Sequence, residues 1–369
     1  MDQKVAGRVR AVLGATVLVC AVTTALPGAV SAEPATVPGA ASDSAAGVER
    51  ISVATDGAQG DGDSAGATIT ADGGRIAFSS SAKSLTPSNP VTFEKVFVRD
   101  QRAGETTQMS TNTSPIQRPV ISGDGQYVAL WGQLFRDTKV LLSQVSSARS
   151  IGVNCSGLSC SQPSLSADGR YIAHVATFSR PPSRQRIEVL DWRANTTQTV
   201  AELSHSVQSR PSISGDGRFV AYQDGQTQDV FVWDATDHTS TGPIEGPSRA
   251  ATLVQLSKDG SKVVYLSGSD TYIHDQSSGA DQLVPGVRGL AIDPTGRHLL
   301  YAPQDTSGPA LVLRDLETGA DEIVCNQPAS AGTDAVSAGG REVVFHSTAD
   351  DIVPSDTNGK SDVFIRRFS

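Results

Sequence analysis

Few stretches of this 369-residue chain space their side chains for chemistry. Cys155 and Cys160 stand five apart in a loop rich in Ser and Gly. In an exported protein that spacing favours a local disulfide, and zinc would need further ligands that the loop does not offer. Cys325, far along the chain, is expected to be an unpaired, partly buried thiol. Asp356, Asn358 and Asp362 place oxygen-bearing side chains at alternate positions around Gly359. Hard cations such as calcium are wrapped in this way, although the EF-hand pattern is incomplete and a solvated turn uses the same residue types. Asp61, Asp63, Asp350 and Asp351 lie in segments that a closing strand would bring near. Gly62 to Gly66 matches the Gly-x-Ser-x-Gly nucleophile pattern, but that pattern needs a strand-to-helix turn, so Ser64 is read as inert. The six histidines show no metal-binding spacing, and His174 and His346 read as packing residues.

The elements that must position these groups are repeats. Arg210 to Tyr222, Arg-Pro-Ser-Ile-Ser-Gly-Asp-Gly-Arg-Phe-Val-Ala-Tyr, has seven recognisable copies, with turns at Asp72, Asp124, Asp168, Asp216, Asp259, Thr295 and Gly339. An Asp-Gly pair between strand-like runs predicts a hairpin with a type I′ turn. Successive turns are 52, 44, 48, 43, 36 and 44 residues apart, the period of a four-stranded propeller blade. No later stretch keeps a helical period. The expected fold is all-β, a seven-bladed β-propeller over residues 47–369.

Before it, residues 1–32 read as a signal peptide: Lys4, Arg8 and Arg10, an apolar run from Ala11 to Ala25, and Val30-Ser31-Ala32 as a cleavage site. The apolar run is shorter than the roughly 20 residues of a spanning helix, so no membrane span is expected in the mature chain. Residues 33–46 read as a disordered linker. The last repeat stops after its third strand, and Val48 to Val53 forms a strand without a hairpin before it. This N-terminal strand is expected to complete the last blade and close the ring. A net charge of −9 without a basic run excludes nucleic acid as a partner.

The third strands share a second pattern, as in Lys95-Val-Phe-Val-Arg-Asp100 and Asp229-Val-Phe-Val-Trp-Asp234. Together with Ser-x-Asp-Gly-Arg-aromatic-Val-Ala-aromatic, it resembles the WD40-like propeller repeat of TolB-type proteins, also found in the propellers of prolyl-oligopeptidase-type enzymes. The resemblance covers Val48 to Ser369. It implies an interaction scaffold; the separate N-terminal domain of TolB and the hydrolase domain of the oligopeptidases have no counterpart here.

In such a blade the long second-to-third-strand loops and the Cys155 to Cys160 loop crowd one face, opposite the Asp-Gly turns. The residues opening the innermost strands should ring the channel mouth there: Gly66, Arg118, Gln162, Arg210, Leu253, Gly289 and Thr333. Arg118 and Arg210 flank Gln162 on consecutive blades, a cationic lip suited to an anion or carboxylate, unless both pair with neighbouring Asp residues. The resulting expectation is a secreted or cell-envelope monomer that is a non-catalytic binding module for a protein, peptide or glycan. It has no cofactor unless calcium binds. The alternatives are a polysaccharide-active lyase or hydrolase working across the channel mouth, and a structural propeller held by calcium.

Overall fold

The computed structural model describes residues 47–87, 94–109, 114–134, 137–178, 184–203, 205 and 209–368. The leader and the linker read from the sequence lie outside them. Seven antiparallel sheets ring a central axis, giving a seven-bladed β-propeller. Blade 1 shows the pattern: Ser64–Ile69 lies innermost, followed outward by Arg75–Ser80, Lys95–Asp100 and Glu105–Gln108.

The repeated turn differs from the expected type I′ pair. Of Ser214 to Gly217, Gly217 alone has positive φ, at 80°. The Gly217 amide donates to the Ser214 carbonyl at 3.1 Å, and the Ser214 amide to the Phe219 carbonyl at 2.9 Å, so the loop is longer than two residues. Its side chains hold it: the Ser214 hydroxyl donates to Asp216 Oδ1 at 2.6 Å and accepts from the Phe219 amide at 2.9 Å, while Asp216 Oδ1 accepts from the Arg218 amide at 3.0 Å. Ser122/Asp124, Ser166/Asp168 and Ser257/Asp259 repeat this arrangement. Glycine is needed twice over, since a Cβ on Gly217 would also strike the Tyr171 ring of the preceding blade.

The basic residue after the turn explains the aspartate that ends the third strand. Arg218 bridges to Asp234 at 2.7 Å, Arg170 to Asp191 at 2.6 Å and Arg297 to Asp315 at 2.7 Å; Lys262 pairs with Asp275 likewise. Above the turns, second and third strands meet through opposed aromatic rings. Phe78 stacks on Phe97, Tyr222 on Phe231, Tyr265 on Tyr272 and Phe345 on Phe364, with centroids 5.4 to 5.8 Å apart. Such pairs contribute about 0.5–1.5 kcal/mol each beyond their buried area.

The ring closes as the sequence leads one to expect. Val48–Arg50 pairs antiparallel with Asp362–Arg367, Glu49 opposite Ile365, and supplies the outer strand of blade 7. Closure brings Arg50 against the residues grouped above as a calcium loop. Its guanidinium lies 3.1 Å from Asp356 and 3.5 Å from Asp362, whose side chains are 2% and 0% exposed. Asp362 also accepts from Ser52 and from Asn358, and the Asn358 amide reaches the Gly60 carbonyl at 2.9 Å. Asp356, Asn358 and Asp362 do converge, but the cation between the two carboxylates is Arg50.

Burial pushes the Asp362 carboxyl above its ordinary range, aided by the charge of Asp356 and opposed by Ser52, Asn358 and Arg50. Because the folded state favours the protonated form, folding gains from Asp362 at low pH and loses that gain as pH rises. Arg50→Met leaves two buried carboxylates uncompensated and is expected to cost about 3–5 kcal/mol near neutral pH. The loss should shrink toward about pH 4, where carboxylates protonate. Denaturant unfolding at both pH values checks this, and an unchanged midpoint would show that the pair does not hold the closure.

Candidate functional site

The innermost strands lose register with their neighbours at equivalent positions. The pairing slips between Ala65 and Thr68, Gln117 and Val120, Ser161 and Ser164, Leu253 and Gln255, and Gly289 and Ala291. Such bulges bend a strand and re-aim its side chains. Gly66, Arg118 and Gln162 lie at these points with φ of 67°, 30° and 55°. For Arg and Gln that conformation is strained, and strain of this kind gathers at functional sites.

The re-aimed residues surround a cavity of about 500 Å³ at the axis, on the face carrying the second-to-third-strand loops. Six of the seven expected ring residues line it: Arg118, Gln162, Arg210, Leu253, Gly289 and Thr333. Gly66 instead backs the Arg118 side chain. Sequence reasoning missed Arg288, beside Gly289, and Trp131, near the end of the second strand of blade 2. No repeat motif marks either position; the signal was that Arg288 adjoins the strand opening already identified.

The three arginines differ in setting. Arg210 reaches across the channel from blade 4 to donate to the Thr333 hydroxyl of blade 7, and approaches the Pro163 carbonyl at 3.4 Å. Burial holds its guanidinium below the ordinary value, with the nearby Arg118 charge adding and Asp334 opposing. Arg118 and Arg288 are exposed and make no ion pair among the described residues. Gln162 Oε1 is buried without a hydrogen-bond partner. No carboxylate is among the described residues lining this cavity. Farther down the axis, Lys258 and Asp334 pair at 3.4 Å and border a smaller cavity of about 220 Å³, walled by the Asp-Gly turn side of all seven blades.

A second cavity, about 680 Å³, opens on the mouth face between blades 6 and 7, lined by Asp305, Asn326, His346 and Ser347 among others. The segment between the cavities is shared, Ala329 and Ser330 facing one and Ala331 to Thr333 the other. His346 is half-buried, and burial with the Arg118 charge lowers its pKa below the ordinary histidine value. It lies one residue beyond the aromatic position, which Phe345 occupies opposite Phe364, and so is not the packing residue expected. Ser64 is buried and bonded to Ser80 at 2.8 Å, away from any described base. Cys155 and Cys160 form the expected disulfide, which fits an exported protein, and Cys325 is a buried free thiol. Among the described residues no helix is long and apolar enough to cross a membrane.

No protein-family model matches the sequence, and no curated relative does. Among solved structures, the chain is similar to an oligogalacturonate lyase in complex with manganese, at TM-score 0.64 and 12% identity, covering 87% of this chain and 93% of that one. An oligogalacturonate lyase from Vibrio parahaemolyticus aligns at TM-score 0.63 and 12% identity over the same shares. TolB from Acinetobacter baumannii aligns at TM-score 0.47 and 14% identity, covering 70% of this chain and 62% of that one. The propeller fold anticipated from the repeats stands, while membership of the TolB-type family is not shown. The expectation of a module without catalysis is corrected: lyases are built on this same ring over nearly their whole length, so a catalytic domain outside it is not required.

Manganese prefers hard oxygen and imidazole ligands. The described residues lining the mouth cavity do not fit it, for they bring guanidinium groups and amides and neither carboxylate nor imidazole.

If strain at the mouth serves the site rather than the fold, Gln162→Gly should leave stability unchanged or raise it by up to about 1 kcal/mol, because glycine adopts positive φ freely. Gln162→Val, β-branched, should cost about 1–3 kcal/mol. Chemical denaturation of both variants checks this, and equal losses would show that the conformation is not strained.

Proposed function

We propose that this chain is an exported, polysaccharide-active protein that takes a carboxylate-bearing oligosaccharide at its arginine-lined mouth and cleaves it by β-elimination. The observation that carries this reading is the convergence of Arg118, Arg210 and Arg288 on a cavity whose described lining residues include no carboxylate to neutralise them. Guanidinium groups bind carboxylates through paired, charge-assisted hydrogen bonds. In the elimination, the proton α to the carboxylate leaves, negative charge builds on the carboxylate oxygens, and the glycosidic oxygen β to it departs. Fixed donors at those oxygens stabilise the charge as it develops. Gln162 Oε1 is free to accept from a sugar hydroxyl, and the cavity between blades 6 and 7 gives the rest of the chain a path outward.

His346 is suited to receive the proton, since a general base must be neutral, and burial with the Arg118 charge favours that form. Hydrolysis by two opposed carboxylates finds less support, because the described residues lining the mouth cavity offer neither.

The test is to incubate the protein with oligouronates and with a neutral glucan, following the ultraviolet absorbance of the unsaturated uronate that elimination creates. Absorbance is expected to rise with the uronate alone. Arg118→Ala or Arg288→Ala should lower kcat/KM by about 10²–10³-fold. His346→Gln should abolish turnover while binding persists. Because the His346 pKa is lowered, activity should hold as pH falls through the ordinary histidine value of about 6.5 and decline below it. Absence of unsaturated product from every oligouronate would overturn the elimination. Wild-type turnover in the arginine variants would remove the mouth from the reaction.

A further inference from the structure

Blade 3 breaks the rule that second and third strands meet through apolar side chains. At the register position filled by stacked rings in blades 1, 4, 5 and 7, by Leu130 and Leu141 in blade 2 and by Tyr301 and Val312 in blade 6, blade 3 pairs His174 with Glu188. Both are fully buried, at 0% and 1% exposure. Burying two ionisable groups where an apolar pair would serve is costly unless something compensates them.

The ion pair between them, at 3.5 Å, and the Ser156 hydroxyl supply part of that compensation. His174 Nδ1 faces the Ile172 carbonyl at 3.4 Å, which favours the tautomer with a lone pair on Nε2. That lone pair faces Glu188 Oε2 at 3.5 Å, and both atoms are buried without a hydrogen-bond partner. The other Glu188 oxygen accepts from the Ser156 hydroxyl. In that tautomer two acceptors face each other in a dry interior, and a cation between them would satisfy both. An imidazole anchored through Nδ1 to a backbone carbonyl is the usual posture of a metal ligand.

The remaining donors come from the loop above. One ligand atom each from Cys155, Cys160 and His174 lie within 4.8 Å of one another. A tetrahedral zinc site, with bonds of about 2.0–2.3 Å, has its donor atoms about 3.3–3.8 Å apart, so on reduction the two bonded sulfurs must separate while the imidazole draws in. We propose that Cys155, Cys160 and His174, with Glu188 beside them, form a thiol-dependent site for a borderline-soft divalent cation of the zinc type, and that the disulfide is its oxidised, metal-free alternative. This site is independent of the elimination proposed at the mouth.

The interconversion balances with a trialkylphosphine as reductant. Phosphorus attacks one sulfur and breaks the S–S bond; water then gives its oxygen to phosphorus, leaving a phosphine oxide, and its two protons to the sulfurs. Zinc binding displaces both thiol protons to solvent as two Zn–S bonds form.

The experiment uses the whole folded protein, oxidised or reduced with the phosphine, dialysed against zinc and separately titrated with cobalt(II). One zinc per reduced chain is expected, with a cobalt–thiolate charge-transfer band, and none per oxidised chain. His174→Phe/Glu188→Phe restores the aromatic pair of blade 1 and should keep the disulfide and the fold, yet lower zinc affinity at least 10-fold after reduction. Cys155→Ser/Cys160→Ser should abolish the band. No stoichiometric zinc in the reduced protein would overturn the site, and so would equal binding by the Phe/Phe variant, which would leave the thiols as adventitious ligands.

Discussion

The ring depends on one small network repeated around it, the serine hydroxyl that takes the carboxylate of the following Asp on one side and a strand amide on the other. It fixes how the innermost strand hands over to the second, and therefore which residues face the axis. The basic side chain after the turn carries the constraint outward to the third strand. Hydrogen bonding to Arg218 is the main reason the Asp234 carboxyl is held well below its ordinary range, and Lys262 and Arg297 do the same for Asp275 and Asp315. These pairs are partly exposed, so each contributes little alone. Their effect is to repeat one geometry around the ring.

With that face held rigid, the other is free to vary. Bulges in the innermost strands turn Arg118 and Gln162 inward at a conformational cost, and Arg210 spans the channel to Thr333. The Lys258–Asp334 pair divides the axis, leaving the cationic mouth on one side and a turn-lined cavity on the other. A net acidic protein thus carries a local positive site, the arrangement that draws an anionic ligand to one place on the surface.

Much of the ring was legible in the sequence, because the Ser-x-Asp-Gly turns recur with a blade's period and the chain lacks a last strand that Val48 to Arg50 can supply. The turn type was not. Asp-Gly between strands reads as a two-residue turn, and the serine that lengthens it lies two positions before the pair. The aspartates ending the third strands were visible as a pattern, but their partners lie 13 to 25 residues earlier, across the sheet. Arg288 stayed hidden because bulges decide which side chains enter the channel. His174 read as a packing residue for a related reason: its setting depends on Glu188, 14 residues on, and on a loop that folds over both.

The most direct measurement is a crystal structure of the protein with an oligouronate bound. A sugar carboxylate held by Arg118 and Arg288, with the chain continuing between blades 6 and 7, is the predicted result. An oligouronate seated on the Asp-Gly face, or arginines folded away onto protein carboxylates with the mouth unchanged by ligand, would contradict it.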